Sequence, residues 1–136
     1  MGEKRPLVVV AAAVLLDGEG RLLISKRPAG KPLAGLWEFP GGKVEADEAP
    51  EEALIRELRE ELAIEIAPDD LAPLTFASHS YPEFRLLMPV YLCRRWRGSI
   101  SPLEGQELAW VKPEELRTYD MPPADEPLKS TLRDLL

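Results

Sequence analysis

The sequence predicts an α/β fold with a mixed sheet, on three observations. Two β-rich runs flank a glycine-containing turn near the start, and one amphipathic helical pattern lies mid-chain. Further strand-like stretches then lead into a helical C-terminus. At 136 residues, 45% hydrophobic and 30% charged, the chain has the composition of one ordinary globular domain. No internal repeat, low-complexity tract or long linker divides it, so residues 1–136 read as a single unit.

Lys4 and Arg5 precede an unbroken apolar run from Leu7 to Leu16. That run is too short to span a bilayer, which takes about 20 residues as a helix. Asp17-Gly18-Glu19-Gly20 follows as a turn, where a signal peptide would place small residues for cleavage. With the run Arg21–Arg27 it reads as a hairpin whose first strand is buried on both faces. Pro28–Gly35, rich in Pro, Gly and Ala, is a loop. Leu36–Pro40 is short and extended, and Gly41-Gly42 breaks it. From Pro50 to Ala63 the spacing predicts a helix, with Leu54, Ile55, Leu58 and Leu62 on one face and Pro50 suited to its first turn. Strands follow at Leu74–His79, Arg85–Arg95 and, after the Gly98–Gly105 loop, Leu108–Val111. Lys112–Leu116 begins a short helix and Glu126–Leu136 forms the last one.

Seventeen basic against 24 acidic residues give a net charge of −7, which argues against nucleic acid as the main partner and leaves room for a small-molecule ligand. An anionic ligand would need metal ions to supply the missing positive charge. A single cysteine, Cys93, excludes an internal disulfide and fits a cytoplasmic, non-membrane protein. Flanked by Leu92 and Arg94 in a strand, it reads as structural. His79 is the only histidine, so neither a histidine metal site nor a Ser/His/Asp triad can be built. Trp96 and Trp110 read as sheet or core residues.

The chemistry concentrates between Gly41 and Ile64. Glu57, Glu60 and Glu61 share a helical face beside the apolar stripe, at the edge of the buried surface. A solvated acidic face, paired with Arg56 and Arg59, is the plain reading of such a helix. The double-glycine turn before it, flanked by Lys43, Glu45 and Glu48, favours another. Carboxylates facing a bare backbone turn suit a hard, oxygen-seeking ion such as Mg²⁺.

The segment Gly42-x5-Glu48-x7-Arg56-Glu57-Leu58-x-Glu60-Glu61-x-Ala63-Ile64 resembles the Nudix box, the signature of hydrolases of nucleoside diphosphates linked to another group. One position departs from it: a glycine that caps the helix is Ala63 here. Alanine either keeps the left-handed cap at about 1 kcal/mol or extends the helix. Leu36–Glu45, Glu104-Gly105-Gln106 and Pro122–Pro127 resemble flanking segments of the family's MutT branch, so the likeness covers nearly the whole chain. The resemblance implies a Nudix fold, a mixed sheet sandwiched between helices, α/β/α.

It also implies hydrolysis of a nucleoside triphosphate to the monophosphate and pyrophosphate by water attack at the β-phosphorus. Mg²⁺, for which Mn²⁺ would substitute, would be held by Glu57, Glu60, Glu61, Glu104 and the Gly41 carbonyl. Glu57 or Glu104 would take the proton of the water, and Arg56 and Glu48 would brace the loop and orient the glutamates. Arg27 matches a phosphate-contacting arginine, and Glu38, Phe39, Pro40, Gly41, Gly42 and Lys43 match the stretch that lines the nucleotide pocket. Trp37 beside them is either core or pocket wall. Tyr81 follows the box at a spacing that resembles members acting on dinucleoside polyphosphates, although the MutT branch also carries aromatic residues there. A monomer or weak dimer is the expected state.

Asp125 occupies the position of an asparagine in relatives that destroy 8-oxo-dGTP. An ionised carboxylate only accepts hydrogen bonds, which suits the amino group of cytosine and the relatives that hydrolyse CTP or 5-substituted dCTP. A carboxyl kept neutral by burial would donate as well, and would suit 8-oxoguanine. Capping of the last helix is the plain alternative for Asp125. The competing functions are thus an 8-oxo-dGTP sanitiser, a cytosine-nucleotide pyrophosphohydrolase and a nucleotide-binding module without turnover. The intact glutamate set disfavours the last.

Overall fold

The computed structural model describes residues 4–136. Seven strands run in the order β1 (Leu7–Leu15), β2 (Leu22–Lys26), β3 (Trp37–Glu38), β4 (Gly41–Lys43), β5 (Leu71–Ser80), β6 (Arg85–Cys93) and β7 (Glu107–Val111). Helix α1 (Pro50–Leu62) lies between β4 and β5, and α2 (Glu126–Leu135) ends the chain. Short 3-10 helices occupy Pro68–Asp70 and Pro113–Thr118. The strands form a four-stranded mixed sheet, β4-β1-β6-β5, and a three-stranded antiparallel sheet, β3-β2-β7.

β1 is buried on both faces over Ala11–Leu15, because successive side chains enter different cores. Ala12 and Val14 join Leu128 and Leu132 of α2, whereas Ala11, Ala13 and Leu15 join Leu54, Leu58 and Leu62 of α1. The sheets therefore lie between the two helices, as the α/β/α expectation holds. Within that layer, the expected β1–β2 hairpin does not form. β4 and β6 occupy both edges of β1, and β3 and β7 both edges of β2. Only a Leu16–Leu22 bridge joins the two strands at the turn, which Asp17 Oδ1 holds by accepting from the N–H groups of Glu19 and Arg21.

Gly41 and Gly42 likewise do not break a strand but form one, paired with Ala12 and Ala11 of β1. Glycine is needed because the strands approach so closely. A Cβ at residue 41 would lie 2.0 Å from the carbonyl oxygen of Ala11. Helix α1 ends at Leu62, one residue before the expected Ala63. Ala63 is left-handed (φ 62°), and its N–H closes the helix on the Arg59 carbonyl. The alanine thus keeps a cap that suits glycine better. Trp37 belongs to the core side, where its ring meets Tyr119 edge-on at 5.2 Å. Trp96 and Trp110 stack against the other core, and Cys93 is fully buried.

Candidate active site

The face of α1 beside its apolar stripe opens on a polar cleft of about 200 Å³. Glu57 and Glu61 reach it from α1, Glu38 and Gly41 from the β3–β4 segment, and Glu104 and Gln106 from the loop before β7. Ser25, Lys26, Arg27 and Lys31, from β2 and the loop after it, complete the lining. Glu60 is not part of this lining. Its side chain is 56% exposed and points to the outer edge, 3.9 Å from Arg56.

Arg56 joins the box together. Its Nε and Nη2 donate to the two carboxylate oxygens of Glu48 at 2.8 and 2.9 Å. Nη1 donates to Glu57 Oε1 at 2.8 Å, and Nη2 also donates to the Lys43 carbonyl at 3.1 Å. Glu48 in turn accepts from the Glu45 N–H at 2.9 Å. These bonds to Arg56 and Glu45 hold the Glu48 carboxyl down at about 2. The loop carrying the glycines is thereby tied to the helix carrying the glutamates.

The Glu104 loop is fastened to the end of the same helix. Gln106 Nε2 donates to the Glu61 carbonyl at 3.0 Å, its Oε1 accepts from the Glu104 N–H at 2.9 Å, and the Leu103 N–H donates to the Glu61 carbonyl. In the sequence Gln106 stands out only as part of the Glu104-Gly105-Gln106 motif. Its buried amide is what places Glu104 at the cleft.

Four carboxyl groups thus share one small cleft. Burial, the Glu57 carboxyl within hydrogen-bonding reach and the charges of Glu104 and Glu38 push Glu61 well above the usual carboxylate range. Among the described residues, no three such side chains form a ready-made cage. The set nonetheless fits a hard divalent cation: its donors are all oxygen, and their repulsion is what a cation relieves. Glu57, Glu61 and Glu104, with the Gly41 carbonyl, would hold such an ion, and Glu60 would have to turn inward to join them. A Cβ at residue 42 would fill the space that the Glu57 carboxyl occupies.

Beyond the cleft lies a second, more apolar cavity of about 570 Å³, within the size range of ligand pockets. Arg27, Glu38 and Gly41 line both cavities. Arg27 Nε donates to Glu38 Oε2 at 3.1 Å, so this ion pair is the partition between them. Val8, Val10, Leu33, Phe39, Tyr81, Phe84, Leu86 and Met88 supply apolar walls, and Gly42 and Lys43 line it too. Pro40 lines neither cavity; its carbonyl accepts from Ala13 N–H at 2.8 Å.

Asp125 lies in this second cavity and is 5% exposed. It stands at the start of α2, yet its side chain makes no capping bond, so the capping alternative fails. Burial, with the nearby charges of Glu38 and Glu126 and against that of Arg27, pushes its carboxyl up to about 7. Near neutral pH it is part donor, part acceptor.

Residues 11–131 match the model of the NUDIX domain. The chain belongs to the NUDIX family. Its relatives include the CTP pyrophosphohydrolase of Escherichia coli K12, 38% identical over 89% of this chain and 88% of that protein. The 8-oxo-dGTP diphosphatase of the same strain is 32% identical over 93% of this chain and 96% of that protein. The solution structure of the E. coli ORF135 protein superposes with a TM-score of 0.84 at 35% identity, covering 98% of this chain and 95% of that one. This NUDIX chain is accordingly a hydrolase of a family that uses divalent metal cations. Among its described residues, no helix is long and apolar enough to cross a membrane.

Proposed function

We propose that this NUDIX protein is an Mg²⁺-dependent nucleoside triphosphate pyrophosphohydrolase acting on 8-oxo-dGTP. As a cytoplasmic sanitiser of the nucleotide pool it would serve DNA repair by mutation avoidance, as one catalytic domain working as a monomer or weak dimer. The observation that carries this reading is the position of Asp125, a buried carboxyl in an apolar cavity that adjoins the carboxylate cleft, where burial pushes it up to about 7. A neutral carboxyl donates and accepts, and so matches the carbonyl and N–H on the Hoogsteen edge of 8-oxoguanine.

In this reading the base enters the apolar cavity and the triphosphate lies across the Arg27–Glu38 partition into the cleft. Arg27, with Lys26 and Lys31 in the same lining, faces the phosphates. Mg²⁺, or Mn²⁺ in its place, would neutralise the phosphates and lower the pKa of a bound water. The oxygen of water bonds to the β-phosphorus and the bond to the α-phosphate oxygen breaks, giving monophosphate and pyrophosphate. Glu104 takes the released proton. Glu57 is engaged by Arg56, whereas Glu104 is exposed on its loop with only its backbone held by Gln106, which supports this choice.

A second reading, hydrolysis of CTP, dCTP or 5-substituted dCTP, is favoured by the ionised fraction of Asp125, an acceptor for the cytosine amino group, and by the likeness to CTP pyrophosphohydrolase. The test is pyrophosphate release at low substrate concentration with Mg²⁺, across 8-oxo-dGTP, dGTP, dCTP and 5-methyl-dCTP. A preference for 8-oxo-dGTP over dGTP of about 10³, roughly 4 kcal/mol of transition-state binding, supports the sanitiser. A preference for the cytosine nucleotides overturns it in favour of the second reading. Release of single phosphates would contradict both.

A further inference from the structure

The Asp125 carboxyl receives no bond from its own helix, so its direction rests on how its backbone is held. Three hydrogen bonds from outside tie the segment before α2, and within it the Asp125 N–H donates to the Pro122 carbonyl at 2.9 Å. The Trp37 N–H donates to the Asp120 carbonyl at 2.8 Å, and Lys129 Nζ donates to the Tyr119 carbonyl at 2.7 Å. The third lies next to Asp125 itself: the Ala124 N–H donates to the hydroxyl oxygen of Tyr81 at 3.3 Å. Ala124 is buried, so this N–H has little access to water.

Tyr81 is itself fixed. It follows the end of β5, where its N–H donates to the Phe84 carbonyl at 2.8 Å and its carbonyl accepts from Arg5 Nη1 at 2.8 Å. Its ring stacks on Phe84 at 4.9 Å and meets His79 edge-on at 4.5 Å. The same ring lines the apolar cavity. One side chain thus forms part of the cavity wall and grips the peptide bonded to the residue that would read the base.

We propose that Tyr81 is a positioning residue for base discrimination, its hydroxyl holding Asp125 at a fixed place in the apolar cavity. This inference rests on Asp125 being the base reader, and the experiment separates the two. Tyr81→Phe keeps the ring and the stack and removes only the hydroxyl. The variant should lose about three- to tenfold in the kcat/KM ratio of the best nucleotide over dGTP, the worth of one neutral hydrogen bond, mostly through KM. Asp125→Ala, which removes both the donor and the acceptor, should change the base preference by itself. In the double variant, Tyr81→Phe should cause no further loss of discrimination, because its effect passes through Asp125. A purely structural tyrosine would instead lower Tm and leave the ratio as in wild type. If Asp125→Ala alters preference and Tyr81→Phe does not, or if the two losses multiply, this inference is overturned and the base reader stands. If Asp125→Ala leaves the preference unchanged, both are overturned.

Discussion

Gly42 lies directly against Glu57: a Cβ on residue 42 would fall 2.3 Å from the Glu57 carboxyl carbon. No L side chain fits there without moving that carboxyl. Gly42→Ala should therefore displace Glu57 while leaving the cores intact, since residue 42 is on an edge strand. Misplacement by about an ångström is expected to lower kcat/KM by about 10²-fold with a small change in Tm. Steady-state kinetics beside thermal unfolding checks this. Wild-type rates would remove Glu57 from the site.

Glu61→Gln should abolish Mg²⁺-dependent turnover, by roughly 10³-fold or more if the cation supplies several kcal/mol of transition-state stabilisation. Folding should survive, because burial and its acidic neighbours already favour the neutral form of Glu61. Mg²⁺ should raise the Tm of the wild type, and raise that of the variant less. A variant that keeps both the rate and the metal-induced shift would place Glu61 outside the metal site.

Ala63 holds a left-handed conformation that glycine adopts without strain. Ala63→Gly should stabilise the protein by about 0.5–1 kcal/mol, with kcat unchanged because the side chain faces away from the cleft lining. Denaturant unfolding measures the gain, and a loss of stability would mean that the alanine methyl contributes packing at this exposed position.

Asp125 should also leave a mark on stability. Its folded-state value of about 7 lies above the ordinary aspartate value of 3.8. The folded state therefore binds this proton more tightly, and the associated stability is present in full below about 4 and lost as pH rises toward 7. Asp125→Asn removes that dependence, so the Tm of the variant relative to wild type should be higher at pH 8 than at pH 5. Equal differences at both pH values would mean that Asp125 is ionised throughout.

Much of the site was legible in the sequence because it is local. Glu57, Glu61, Arg56 and Glu48 lie within one helix and its approach, where spacing alone sets the face. Glu60 shares that spacing, yet it turns outward, since the side-chain direction depends on Arg56 and solvent rather than on periodicity. The long-range parts were not legible. The split of β1 and β2 into two sheets follows from which strands take their edges. The strap from Gln106 to Glu61 and the hydroxyl of Tyr81 on Ala124 join positions 45 and 43 residues apart. No periodicity reports such contacts.

The account rests most heavily on Asp125 reading the base through its protonation state, with Glu38, Arg27 and Glu126 as the charges around it. The measurement that tests it most directly is the ratio of kcat/KM for 8-oxo-dGTP to that for dCTP between pH 6 and pH 8. Any pH dependence of the hydrolytic step that both substrates share cancels in the ratio. The account predicts a fall of about tenfold or more, centred near pH 7, as the donor form gives way to the acceptor form, and a flat ratio in Asp125→Asn. A ratio that is flat in the wild type, or that falls equally in the variant, would contradict it.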